Sequence, residues 1–193
     1  MNDASADATA DASADASADA LAATQRWLQR AVIGLNLCPF AKAVQQKGQI
    51  RFVCSSASDA ETLAADLAAE IQHLAAADPQ HIDTTLLVHP QVLQDFDDYN
   101  QFLDTADALL ASLHLRGVLQ IASFHPHYRF AGTSENDIAN CSNRSPHPML
   151  QLLREASVDR AVAAFPDAAD IYLRNIQTLR RLGWPAWQAL NGP

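Results

Sequence analysis

Thr84-Thr85-Leu86-Leu87-Val88-His89-Pro90 is an unbroken apolar and β-branched run closed by His-Pro, and the stretch from Val118 to Phe124 closes the same way on His125-Pro126. Runs of this kind, without polar alternation, read as strands buried on both faces, the pattern of parallel sheet covered by helices. Ile50 to Cys54 is a third β-branched and aromatic run. Each gap between these runs holds one amphipathic helix. Ser58-x-x-Glu61 has the form of a capping box and is followed by Leu63, Leu67, Ile71 and Leu74 on one face, predicting a helix over 58–77. Asp95 opens a second helix over 95–114, with Phe96, Tyr99, Leu103, Ala106, Leu110 and Leu113 on its buried stripe. One helix per gap makes two βαβ crossovers, so the three strands are expected to be mutually parallel. The fold class expected is α/β: a small, mainly parallel sheet of three or four strands, flanked by helices, with a C-terminal helical segment.

Working outward, Leu21, Leu28, Ala31, Val32 and Leu35 recur at helical spacing before Cys38-Pro39 interrupts them, and a short second helix ends near Gly48. Residues 125–145 read mostly as loop, with a short strand at Tyr128 to Phe130. Ser145-Pro146 has the form of a helix start, Pro146 standing at the first helical position. Two more helices follow, broken at Phe165-Pro166 and ending at Gly183, after which Trp184 and Trp187 pack back onto the body. Residues 1–20 are different in kind: an Asp-Ala-Ser-Ala repeat with five Asp and no Lys or Arg. Asp at every fourth residue would put like charges on one helical face. The segment is therefore expected to be a disordered acidic tail, with a transient helix as the alternative, ahead of a single α/β domain at 21–193.

Composition narrows the class of function. The net charge is −9; without the five tail Asp, 17 acidic side chains face 13 basic ones, a balance of −4. An acidic body with scattered cations is a poor partner for nucleic acid. No apolar stretch approaches the ~20 residues needed to span a bilayer, and the acidic N-terminus is the reverse of a signal or transit peptide. Three cysteines with no paired spacing point to a reducing compartment, so a cytoplasmic protein is expected. The 193 residues suit one domain that buries roughly 70% of its unfolded surface without metal or disulfide staples. No glycine-rich phosphate loop, dinucleotide fingerprint, nucleophile elbow or His-Glu-x-x-His is present.

The residues that could carry chemistry cluster at the strand ends. A residue before proline is held extended, so His89 and His125 are fixed as the last extended residues of their strands. In a parallel sheet both would lie at the carboxyl edge, where open α/β sheets bind ligands, and two imidazoles there could serve as acid and base. The plain alternative is that His-Pro only ends a strand. Tyr128 adds a polar group after the third strand. With His127, three imidazoles would match a Zn²⁺ or Fe²⁺ site in number, but no carboxylate stands at a supporting spacing, so no metal and no cofactor are expected. Asn143-Arg144 precedes Ser145-Pro146; the guanidinium could hold an anion, or tie the long loop down through carbonyls or Glu155. Cys38, before Pro39, stands at an N-cap position that suits a nucleophilic thiol, or else is a small buried hydrophobe between Leu37 and Phe40.

Asn36-Leu37-Cys38-Pro39-Phe40-Ala41, Thr84 to Pro90, Gln120 to Pro126 with Tyr128, Phe130 and Ala131-Gly132, Asn143 to Pro146, and Leu152 to Ser157 form an ordered set. Together, over residues 21–183, they resemble a bacterial family known as a domain of unknown function, number fourteen-fifteen of that series. An aromatic is usual in the family where His147 stands, and His is common where Gln151 stands. The resemblance implies one compact domain and supplies no mechanism. The leading expectation is an enzyme acting on a small anionic metabolite, with His89 and His125 as acid and base, Asn143 and Arg144 on the anion, and Tyr128 and Cys38 as further candidates. The alternatives are a non-catalytic small-ligand-binding or interaction module and thiol chemistry at Cys38.

Overall fold

A computed structural model describes residues 4–164 and 170–191, with side chains over 14–164 and 170–190. Four strands, β1 (Ile50–Cys54), β2 (Thr84–Val88), β3 (Leu119–Phe124) and β4 (Met149–Arg154), form one sheet in the order β1-β2-β4-β3. β1 and β2 pair in parallel, whereas β4 lies antiparallel to both β2 and β3. β1, β2 and β3 therefore point the same way, as their crossovers require, but β3 is separated from β2 by a strand of opposite sense. The sheet is mixed, and the expectation of a mainly parallel one is corrected.

That correction comes from one misread segment. The helix expected after Ser145-Pro146 is instead β4, the central strand, and only at Glu155 does the chain turn without a loop into helix α5 (Glu155–Ala163). Met-Leu-Gln-Leu-Leu-Arg is made of good helix formers. Leu150 and Leu152 are nevertheless wholly buried on one face of the sheet and Met149 on the other, a period-two burial that a helix would not give. Packing between two strands overrides local preference here. The strand expected at Tyr128 to Phe130 is loop.

Helices α3 (Ala60–Ala76) and α4 (Phe96–Ser112) cover one face of the sheet. Leu63, Leu67, Ile71 and Leu74 from α3 meet Tyr99, Phe102, Ala106 and Leu110 from α4 over Leu87, Leu150 and Leu152. The α3 cap sits one residue later than its sequence signature: Asp59, not Ser58, accepts from the Thr62 N–H at 2.8 Å. Asp95 caps α4 as expected, accepting from the N–H groups of Asp97 and Asp98. At the other end of α3, Arg154 donates to the carbonyls of Leu74 and Ala77, both at 2.7 Å, so the end of β4 closes the helix that packs beside it.

The opposite face is covered by α1 (Ala4–Trp27), the π-helical turn Leu28–Ile33 that extends it, and α6 (Ile171–Asn191). Trp27, Leu28, Ala31, Val32, Leu179 and Trp187 pack with Leu86, Val88 and Met149. Gly183, at φ +74°, bends α6 where the sequence suggested an end, and the helix resumes so that Trp187 returns to the core as expected. A short helix α2 (Ala41–Gln46) follows Cys38-Pro39. The break expected at Phe165-Pro166 lies outside the described residues. Helix α1 starts at Ala4, within the acidic repeat. From Ala14 to Asp19 its side chains are exposed except for half-buried Ser17, and burial begins at Ala20.

Deleting residues 1–19 is expected to shift the melting temperature by no more than about 1 °C, whereas extending the deletion through Ala20 costs measurably more. Leu152→Ala in the central strand should destabilise by about 3 kcal/mol in urea unfolding. A loss below about 1 kcal/mol would place that side chain outside the core.

Candidate functional site

The two histidines converge, but on a tyrosine instead of on a cavity. Both are fully buried. The Tyr99 ring lies between them, its centroid 5.8 Å from His89 and 5.0 Å from His125. Tyr99 Oη donates to the Met149 carbonyl at 2.8 Å and accepts the Phe124 N–H at 3.0 Å, joining α4 to the paired ends of β3 and β4. His125 Nδ1 accepts the His127 N–H at 3.0 Å, which leaves its proton on Nε2 to bond the Leu93 carbonyl at 3.2 Å. His89 Nδ1 bonds the Val92 carbonyl at 3.1 Å, and its Nε2 is enclosed without a partner among the described residues. The two imidazoles thus hold consecutive carbonyls of the loop before α4, where Leu93 sits at φ +56°, a conformation that non-glycine residues seldom adopt.

Electrostatics follow from the burial. Desolvation pushes the His89 imidazole down to about 4, against the opposing bond to Val92. His125 is lowered for the same leading reason, and burial raises the Tyr99 hydroxyl well above its ordinary range. All three groups are held neutral. As an imidazolium, His89 would carry a second N–H facing no acceptor.

The remaining predicted residues are placed elsewhere. Arg144 donates from Nε to the Tyr128 carbonyl at 3.1 Å and from its terminal nitrogen to the Glu135 carbonyl at 2.7 Å, with its guanidinium over Trp184. This is the loop-tying alternative, made through carbonyls and not through Glu155. Asn143 donates to the Ser123 carbonyl, and its own carbonyl accepts the His125 N–H. Tyr128 packs its ring against Phe96 and Phe130. Arg144 therefore does not join the histidines around one space. Exposed His127 lines an open cleft with Asp95, Asp97 and Glu135 at the carboxyl edge. Among the described residues no group of three or more His, Cys, Asp or Glu side chains is placed to hold a metal, and no helix is long and apolar enough to cross a membrane.

Cys38 alone among the predicted residues borders a well-formed apolar cavity. The cavity, about 330 Å³, lies across the sheet face opposite α3 and α4, between the α1–α2 connection and α5. Trp27, Phe40 and Phe124 give it aromatic walls, and Gln120, Gln151 and Ser142 add polar groups. Its position follows from strand alternation: Thr84, Gln151, Leu153, Gln120 and Ala122 all project to this face. The register sets Ala122 opposite Gln151 and Gln120 opposite Leu153, so the two glutamines are diagonal neighbours and the small Ala122 leaves the space beside them open. Sequence reasoning missed these glutamines because Gln151 was assigned to a helix. The signal was a carboxamide within each of two mainly apolar runs.

A family model described as a protein of unknown function (DUF1415) matches residues 19–189. No curated protein and no solved structure matches the chain.

Tyr99→Phe should cost about 2–4 kcal/mol, because it strands a buried N–H at Phe124 and a carbonyl at Met149. Stability should also fall on acidification. The unfolded chain protonates His89 near pH 6.5, while the folded chain refuses that proton until about pH 4. The contribution is whole above pH 6.5 and is lost as pH falls through that window, by on the order of 3 kcal/mol. Urea unfolding at pH 7, 5.5 and 4.5 of the native chain and His89→Gln checks this. The variant should lose much of the slope between pH 6.5 and 5.

Proposed function

We propose that this chain, which belongs to the family of proteins of unknown function DUF1415, is a small-molecule-binding module whose ligand occupies the cavity beside Gln151. One observation carries the reading: a volume of about 330 Å³ walled by aromatic side chains and floored by sheet residues with a few polar groups among them, the composition and size of small-molecule sites. The acid–base reading has weaker support. His89 and His125 spend their ring nitrogens on loop carbonyls and a backbone N–H, or enclose them, and neither ring borders this cavity. Thiol chemistry is the second reading, because Cys38 stands in the same wall. It predicts rapid alkylation below pH 7 that a bound ligand suppresses. Cytoplasmic residence is part of the proposal and is supported by three free cysteines.

A thermal-shift screen of small aromatic and aliphatic compounds tests the binding reading. A ligand at 100 times its Kd should stabilise the chain by about 2.7 kcal/mol. Ala122→Phe, which fills the cavity from its floor, should remove the shift while the chain stays folded by circular dichroism. Shifts that survive Ala122→Phe would place the site elsewhere.

A further inference from the structure

The hydrogen-bonding groups in the cavity specify a class of ligand, an inference that rests on the binding reading above. Thr84 Oγ1 donates to the Leu152 carbonyl at 2.6 Å, so its hydroxyl proton is spent and it acts toward Gln151 only as an acceptor. The contact at 3.1 Å between Gln151 and Thr84 Oγ1 must then come from the Gln151 NH₂ group. This fixes the carboxamide and leaves Gln151 Oε1 as an acceptor without a partner among the described residues. The Gln120 carboxamide, its diagonal neighbour, has no side-chain partner among them either. Trp27, in the same wall, is 3% exposed and offers the cavity its ring, its indole Nε1–H being enclosed without an acceptor among the described residues.

Charge is the other half of the specification. Among the described residues no Lys, Arg or His lines the cavity. Its one carboxylate, Asp83, accepts the Ser157 hydroxyl at 2.5 Å. An anion would meet Asp83 and no cation among the described residues, and a cation would find a single carboxylate that already accepts the Ser157 hydroxyl. A neutral ligand carrying a donor and an acceptor side by side is complementary to two carboxamides, and a flat apolar body is complementary to Trp27, Phe40 and Phe124. We propose that the cavity binds a neutral, planar ring bearing an amide, either a cyclic amide or a ring carboxamide, with the amide seated on Gln120 and Gln151.

Titration calorimetry of the full chain with benzamide, 2-pyridone, toluene, benzoate and benzylamine tests it. The two amides should bind at least tenfold more tightly than toluene, and benzoate and benzylamine at least tenfold more weakly than benzamide. Gln120→Met removes a carboxamide that holds nothing else in place, so the fold is retained, and it should bring benzamide to within threefold of toluene. Gln151→Met should do the same. Binding of toluene equal to benzamide, or preference for benzoate or benzylamine, overturns the amide assignment and leaves the binding reading standing. Unchanged amide preference in Gln120→Met also overturns the assignment. Binding by none of the five overturns both.

Discussion

The antiparallel insertion of β4 between β2 and β3 is the constraint on which the rest of the molecule depends. Both neighbours pair their inner edges with it, β2 from Met149 to Leu153 and β3 from Met149 to Arg154. Without it the two crossover units would share no sheet. Its alternation sends Leu150 and Leu152 to the layer under α3 and α4 and Met149 to the layer under α1 and α6, so one strand packs into both cores. Its last residue, Arg154, holds the carbonyl end of α3, and α5 begins at the next position. A strand so placed has little freedom to slip, since a one-residue shift would turn Gln151 into the packed layer and Leu150 into the cavity.

Tyr99 and the two histidines form the other fixed point, their hydrogen bonds joining the strand ends, the loop before α4 and α4 itself. His-Pro at two strand ends has the appearance of a catalytic pair because it pins two imidazoles to one edge. The pinning is present, and Tyr99 between the rings confirms how close the strand ends come. The proton positions are spent on Val92, Leu93 and His127, a set of contacts that fixes the strained turn into α4. A buried polar cluster of this sort specifies one arrangement of loop, helix and strand ends, since each unmade bond leaves a desolvated group behind.

The cavity shows the opposite economy. On the same sheet, the Gln120 and Gln151 carboxamides keep hydrogen-bonding groups without a side-chain partner among the described residues, in a mainly apolar wall. Packing alone would favour leucine at both glutamine positions, as at Leu153 between them. Polar groups without partners around an open volume are the feature on which the binding proposal rests.

What the sequence determined by itself was local and periodic. The runs ending at Cys54, Val88 and Phe124 are strands of one direction, the apolar stripes of 58–77 and 95–114 are the helices that cover them, Asp95 is a cap, and Trp187 returns to the core, because each follows from residue spacing and near-neighbour chemistry. The tertiary structure alone decided the fourth strand, since Met149 to Arg154 has helical preferences that only the open edges of β2 and β3 outweigh. It alone decided which groups stay free: the loop carbonyls that occupy His89, His125 and Arg144 come from segments remote along the chain or folded back on it, and the glutamines come together only through strand register. Hydrogen bonding is saturable. Which residue keeps a free donor or acceptor depends on every partner the fold brings near it, and residue spacing does not encode that.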